Sequence, residues 1–317
     1  MMPLWELGRP KWCAMVVEAL LPASAPFLVV FREALEASLI VGIVAAYLRK
    51  IERRELNRYL ILGSGAAILV SVALGLGLYA AFGGLTGASA AVFEGVASIS
   101  AALVLTYMIF WMAKNARRVS DELHRKLDTA ISKGYLFGVA AVAFVAVSRE
   151  GLETVLLLTA LVGAVGVSAT LTGMILGLAV VMGLTFFVVK GVYRLNLKSF
   201  FKYTSLILLV FASGLLGYGA HELIEAAQAN GLVMGVLASA AYNINPADAG
   251  NLLHEKGLLG SVLKALIGYD GNPEWLRVVL YWSYWILIGS FLLKTYAPRT
   301  YQNTLGRLHR PESKTAL

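Results

Sequence analysis

Three short stretches of the sequence place two glutamates three residues apart. They read REALE at 32–36, REGLE at 149–153 and HELIE at 221–225. Residues three apart share one face of a helix, so the carboxylates of each pair converge. In the first two stretches the arginine lies four residues before the second glutamate and can pair with it, which leaves about one uncompensated negative charge per motif. Paired carboxylates with open lone pairs are ligands that hard cations prefer, so the spacing predicts metal binding.

These charged residues lie inside long apolar segments, where charge is costly. A charge at the centre of a bilayer costs from about 2.5 to more than about 10 kcal/mol. Such residues therefore face the interior of a helix bundle or a wet cavity and indicate function. The predicted metal ligands are Glu33, Glu36, Glu94, Glu150, Glu153, His221, Glu222 and Glu225, and the motif arginines that pair with them are Arg32 and Arg149.

The composition indicates an all-α polytopic membrane protein. Among 317 residues, only 15% are charged and 58% are hydrophobic, whereas a soluble domain has about 25% charged residues. A helix needs about 20 mostly apolar residues to cross the hydrocarbon core. By this criterion we predict seven transmembrane helices, at 26–48, 59–82, 89–113, 134–162, 169–189, 203–227 and 277–297.

The distribution of lysine and arginine predicts the orientation. Twenty of the 27 basic residues flank the same side of the predicted helices, which the positive-inside rule assigns to the cytoplasm. The N-terminus is therefore predicted outside and the C-terminus inside a cytoplasmic membrane. Residues 1–25 form an N-terminal extension, either interfacial or signal-like, 26–297 the membrane domain with an extracytoplasmic loop at 228–276, and 298–317 a cytoplasmic tail.

REALE and REGLE share the pattern RExxE, in which x is any residue, and we call them the RExxE motifs. They occur on the first and fourth predicted helices, which run in opposite directions. Helices one to three and four to six therefore resemble two inverted repeats, a common plan in transporters, with a seventh helix added. Counting along the helices places all the buried acids in the outer half, as one outward-facing site with His221 and Glu225 near its mouth. Gly173 and Gly177, four residues apart, would allow close helix contact.

Further residues support a resemblance to a known family. Phe93-Glu94-Gly95, the HELIE stretch, the segment from Gly260-Ser261-Val262-Leu263-Lys264 through Gly268-Tyr269 to Asn272-Pro273, and Tyr281-Trp282-Ser283-Tyr284-Trp285 accompany the two RExxE motifs. Together they resemble the oxidase-dependent ferric iron permease family, which includes the fungal high-affinity iron permease and the bacterial EfeU-type transporter. The resemblance covers about residues 24–297.

The resemblance implies import of Fe³⁺ as a transported substrate, with the RExxE glutamates as its ligands and no prosthetic group. It also implies a partner that supplies the iron, either a ferroxidase or an extracytoplasmic iron-delivery protein. The lipid bilayer is the other expected partner, and the basic inner loops are expected to set topology rather than bind nucleic acid.

Other functions remain open from the sequence. Another cation, such as Pb²⁺ or Mn²⁺, could use the same scaffold. A metal-dependent membrane enzyme is less favoured because His221 alone of the four histidines adjoins the acids, and a single cysteine excludes a thiolate metal site. A purely structural alternative pairs Arg32 with Glu153 and Arg149 with Glu36 between helices. We predict a transporter and not an enzyme.

Overall fold

The computed structural model describes residues 20–132, 136–189, 197–246, 251, 254, 260, 263–264 and 267–296. Within these residues the chain is helical, and β-pairing is limited to one bridge between Ala240 and Glu274. The long helices are α1 (Ser24–Lys50), α2 (Asn57–Phe82), α3 (Ala88–Ser132), α4 (Leu136–Val165), α5 (Val167–Val189), α6 (Leu197–Ala229) and α7 (Trp275–Tyr296), and short 3₁₀ turns lie at Arg54–Leu56 and Gly235–Ala238.

Most helix boundaries fall within a few residues of the predicted ones. Four helical segments are long and apolar enough to cross a membrane: Arg54–Phe82, Ala88–Met112, Val167–Phe187 and Tyr203–Ala229. Helices α1 and α4 have sufficient length, at 27 and 30 residues, but each carries the charges of an RExxE motif near its middle. The chain is therefore a multi-pass membrane protein, and the count of seven spans stays a prediction.

Helix α3 is much longer than predicted. It has 45 residues and continues to Ser132, so the basic segment predicted as an inner connection is helical. At 1.5 Å per residue α3 is about 67 Å long, roughly twice the thickness of a hydrocarbon core. In its last two turns Asp128 accepts a hydrogen bond from Tyr47 of α1. The predicted tail and most of the predicted N-terminal extension lie outside the described residues.

The helices pack most extensively in three pairs: α3 with α6, α2 with α4, and α1 with α5. In two repeats, α1, α2 and α3 would correspond to α4, α5 and α6. The α1–α5 contact would then correspond to the α4–α2 contact, and the α3–α6 contact would correspond to itself. This is the pairing that two repeats would produce, although the inverted repeat itself stays a prediction. Gly173 confirms the close contact expected of α5, because a Cβ there would lie 2.4 Å from the Ala23 carbonyl oxygen near the start of α1.

Two hydrophobic cores hold α1 against α4 at two heights. One core includes Val29 of α1 and Leu157 of α4, and the other includes Val44 of α1 and Val139 of α4. Both RExxE motifs lie between these cores along their helices. The two cores therefore pack α1 and α4 together on both sides of the motifs, which brings the motifs side by side in this structure.

The segment before α7 packs against the middle of α6. Gly268 has a φ of 69°, and a Cβ there would lie 2.6 Å from Gly214 Cα. Gly214 precedes the C-terminal end of α6 by about 15 residues, or about 22 Å. Arg277 is buried, forms an ion pair with Asp270 and donates to the Gly268 carbonyl oxygen. Part of the segment predicted as an extracytoplasmic loop therefore reaches deep along the bundle.

Candidate metal centre

The structure brings three motif glutamates together between α1 and α4. One carboxylate oxygen from each of Glu33, Glu150 and Glu153 lies within 4.8 Å of the other two. Glu33 is 1% exposed and Glu150 is 5% exposed. We call these three residues the inner cluster. Their oxygens are the donor type and spacing that can surround a single hard cation.

The inner cluster contains carboxylate oxygens without partners. Oε2 of Glu33, of Glu150 and of Glu153 is buried and accepts no hydrogen bond. A buried polar atom without a partner costs about 1–3 kcal/mol, and more when it is charged. A bound cation would satisfy these oxygens. Glu36 belongs to the predicted ligand set but not to the cluster, and its Oε1 lies 3.1 Å from Arg32 Nη2.

Each motif arginine pairs within its own helix. Arg32 lies 3.1 Å from both Glu33 Oε1 and Glu36 Oε1 and donates to Met108 Sδ. This confirms the pairing of the arginine with the second glutamate of its motif.

Arg149 repeats that pairing in the second motif. Its Nε lies 3.0 Å from Glu153 Oε1 and 4.0 Å from Glu150 Oε1, and its guanidinium lies over the Trp111 ring. Among the ion pairs of the described residues, neither arginine reaches the other motif, so the predicted alternative of Arg32–Glu153 and Arg149–Glu36 pairs is wrong.

A second group of predicted ligands lies toward the C-terminal end of α6, which the sequence predicts to be the outer end. One donor atom from each of His221, Glu222 and Glu225 lies within 4.8 Å of the others, and we call these residues the outer cluster. His221 Nδ1 lies 2.6 Å from Glu274 Oε1. Burial acts to raise the pKa of the Glu274 carboxyl, but the hydrogen bond from His221 brings that pKa below its ordinary value.

Glu94 belongs to the outer level of the bundle. Its Oε2 accepts a hydrogen bond of 2.6 Å from Tyr218, and the same oxygen would lie 2.9 Å from a Cβ at Gly163. Gly163 follows Glu153 by about ten residues, or about 15 Å along α4. The predicted ligands therefore occupy two levels rather than the single site expected from the sequence, because α4 ends beside Glu94 while its motif lies far below that end.

Comparison with known proteins assigns the family. Residues 23–295 match the profile of the Iron permease FTR1 family. The chain belongs to this family. It is 35% identical over 280 residues to the ferrous iron permease EfeU of Yersinia pestis, covering 87% of this chain and 94% of that protein.

Two further relatives show similar coverage. An uncharacterized protein of Archaeoglobus fulgidus is 37% identical over 268 residues, 84% of this chain and 94% of its own length. The ferrous iron permease EfeU of an Escherichia coli strain is 35% identical over 280 residues, which cover 86% of this chain and 96% of that protein. No solved structure matches significantly.

In this member of the iron permease family, sequence reasoning missed four residues around the clusters. Tyr218 could have been found, because it lies three and four residues before His221 and Glu222 on one helical face. Met108 and Trp111 carry no local signal, because they meet the motif arginines only through the packing of α3. Glu274 is placed by the chain path before α7, which the sequence pattern did not indicate.

Proposed function

We propose that this chain imports iron across the cytoplasmic membrane and that Fe³⁺ binds between the two RExxE motifs. Membership of the iron permease family supports iron as the substrate. The observation that carries the assignment of the site is the convergence of three buried carboxylates, each with an unpartnered oxygen, from two different helices. We propose Glu33, Glu150 and Glu153 as ligands and Glu36 as a fourth that turns from Arg32 to the ion.

The charge of the site favours a highly charged hard cation. Four motif glutamates face two motif arginines, so ionised carboxylates exceed the positive charges by two. A buried excess of negative charge is unfavourable, and a cation compensates it. All the proposed donors are oxygens, which suit Fe³⁺ as a hard ion. The EfeU relatives are named ferrous iron permeases, so Fe²⁺ is the form against which Fe³⁺ must be tested.

We propose that the ion meets the outer cluster before it reaches the inner one. His221, Glu222 and Glu225 would receive it from the outside, with Glu94 at the same level of the bundle. Arg32 and Arg149 would each pair with glutamates of their own motif and offset part of their negative charge. The distribution of basic residues supports an N-terminus outside and a C-terminus inside. Relative movement of the two proposed three-helix repeats would expose the inner cluster to each side in turn.

The proposed partners act on the outer side. A ferroxidase or an extracytoplasmic iron-delivery protein would bring iron to the outer cluster. Iron is then a transported substrate rather than a resident cofactor, and the chain acts as a transporter and not as an enzyme.

Uptake of radioactive iron into proteoliposomes tests the proposal. Glu150→Gln removes one ligand charge with little change in shape, so we expect uptake to fall at least about tenfold, the factor that 1.4 kcal/mol of binding represents. The matched control is Glu55→Gln, which removes a carboxylate from an exposed ion pair with Arg53. Normal uptake by Glu150→Gln would refute the ligand assignment.

The same vesicles separate the candidate ions. Iron is supplied as Fe³⁺ citrate or as Fe²⁺ under anaerobic conditions, with unlabelled Mn²⁺ or Pb²⁺ as competitors. We expect Fe³⁺ uptake that excess Mn²⁺ and Pb²⁺ do not suppress. Uptake of Fe²⁺ alone would correct the oxidation state, and preferential uptake of Mn²⁺ or Pb²⁺ would replace iron as the substrate.

A further inference from the structure

The segment before α7 brings a carboxylate to His221. Glu274 Oε1 lies 2.6 Å from His221 Nδ1, and the Glu274 side chain is 14% exposed. The other oxygen of Glu274 is buried and accepts no hydrogen bond. Glu274 lies more than 50 residues from His221 in the sequence, so this contact exists only because the chain before α7 returns to α6.

Backbone hydrogen bonds fix the position of this carboxylate. The Ala241 amide donates to the Pro273 carbonyl oxygen, and the Trp275 amide donates to the Ser239 carbonyl oxygen. Both residues that flank Glu274 are thus held by a strand-like pairing with 239–241. The backbone pairing, rather than a free loop, therefore determines where the Glu274 carboxylate lies.

This arrangement is typical of a histidine that binds metal. Such a histidine almost always donates its second ring N–H to a carboxylate or carbonyl, which fixes its tautomer and orientation. When the neutral imidazole donates its Nδ1–H to Glu274, Nε2 carries no proton and keeps its lone pair for a ligand. Glu222 and Glu225 supply the neighbouring oxygens of the outer cluster.

We propose that Glu274 is a positioning residue for His221 and that the oriented imidazole makes the outer cluster select iron over Ca²⁺ and Mg²⁺. Imidazole suits iron, whereas Ca²⁺ and Mg²⁺ take oxygen ligands. The inner cluster offers only oxygens and lacks this means of discrimination. The inference rests on the proposed import of iron, and it assigns selection against abundant hard cations to the outer level.

Equilibrium binding to the full chain in lipid nanodiscs tests the proposal. The parent for these measurements is the double variant Glu33→Gln, Glu150→Gln, which disables the inner cluster. Binding of Fe²⁺ to this parent under anaerobic conditions therefore reports on the outer cluster. We expect Glu274→Ala to weaken Fe²⁺ binding about 10–100-fold, the usual cost of losing such a partner. Glu274→Gln should recover most of this loss, because its amide oxygen still accepts from Nδ1–H. Equal affinities for the parent and Glu274→Ala would overturn the positioning role.

Competition by Ca²⁺ tests selectivity. We expect His221→Asp, which makes the cluster all-oxygen, to let Ca²⁺ displace iron, while the parent resists the same Ca²⁺ concentration. Equal displacement from both would overturn the selective role of the imidazole. The matched control is Tyr242→Phe, an exposed change beside the paired strands, which should leave binding unchanged.

A spectroscopic readout separates positioning from folding. Pulsed electron paramagnetic resonance of bound Mn²⁺ should detect imidazole nitrogen in the parent, lose it in His221→Asp, and show it weakened in Glu274→Ala. Nitrogen coupling unchanged in Glu274→Ala would overturn the proposal. Failure of the proposed function is distinct, because it would appear as normal iron uptake by Glu150→Gln whatever the state of Glu274.

Discussion

The two RExxE motifs share their residue types but differ in their surroundings. Arg32 is 1% exposed and divides its charge between Glu33 and Glu36 at 3.1 Å each. The side chain of Arg149 is 38% exposed, pairs closely with Glu153 alone, and leaves Glu150 at 4.0 Å. Each motif keeps one negative charge in excess, but in the first both carboxylates lie close to the arginine, whereas in the second Glu150 is buried with only a distant partner.

This difference indicates that the two copies of the motif contribute differently to the candidate site. The Arg32 motif is enclosed by α3 through Met108 and resembles a fixed element of the bundle. The Arg149 motif meets α3 through the face of Trp111, which leaves its guanidinium partly exposed. We infer that the first motif mainly holds the site together and that the second supplies the carboxylate most available to the ion.

Substitution of Arg32 should have the largest effect on stability. Arg32→Met leaves Glu33 and Glu36 buried without their partner, and breaking a buried ion pair costs about 3–5 kcal/mol. We expect a marked fall in the thermal unfolding temperature of the purified protein and low recovery from membranes. Unfolding at the wild-type temperature would contradict a structural role for this motif.

For iron uptake, unlike stability, substitution of a glutamate in the second motif should have a larger effect than substitution in the first. Glu150→Gln removes the least neutralised carboxylate, while Glu36→Gln removes one that already binds Arg32. We expect Glu150→Gln to reduce iron uptake more than Glu36→Gln, at similar protein levels, by about tenfold if about 1.4 kcal/mol of binding separates them. Equal losses of uptake would remove the functional distinction between the motifs.

Substitution of Arg149 should cost less stability than that of Arg32. Arg149→Met removes a guanidinium that is partly exposed although its partners are buried, so its loss should cost less than the ~3–5 kcal/mol of a fully buried pair. The unfolding temperature should fall less than that of Arg32→Met, measured in the same lipid. A fall as large as that of Arg32→Met would show that exposure does not distinguish the two arginines.

The smallest effect is expected at Trp111. Trp111→Leu keeps an apolar side chain but removes the ring beneath the Arg149 guanidinium, a contact worth about 0.5–2 kcal/mol. We expect iron uptake to change severalfold at most and stability to change little. Complete loss of uptake would mean that Trp111 contacts the ion path rather than only Arg149.

The sequence predicted the helices well because membrane thickness sets their apolar length. Helices α2 and α5 follow this rule closely. The extension of α3 to Ser132 was missed because a basic segment is as compatible with a loop as with a helix. The packing of Gly268 against Gly214 was missed because it depends on the path of the chain, which no local pattern encodes.

For the candidate site, spacing predicted the convergence of Glu150 with Glu153 and of Glu222 with Glu225, whereas Glu36, expected beside Glu33, lies outside the inner cluster. Spacing also predicted the pairing of Arg32 with Glu36 and of Arg149 with Glu153. It could not predict the two levels, because the relative heights of α3, α4 and α6 depend on tertiary packing. The contact of Tyr218 with Glu94 and that of Glu274 with His221 arise from the same packing.

The proposed site holds one iron ion between the two motifs. Anomalous diffraction at the iron edge, from crystals soaked with Fe³⁺, would locate that ion. We expect an anomalous peak in contact with carboxylate oxygens of Glu33, Glu150 and Glu153, and its loss in Glu150→Gln. Iron found at the outer cluster with no peak between α1 and α4 would contradict the proposed site.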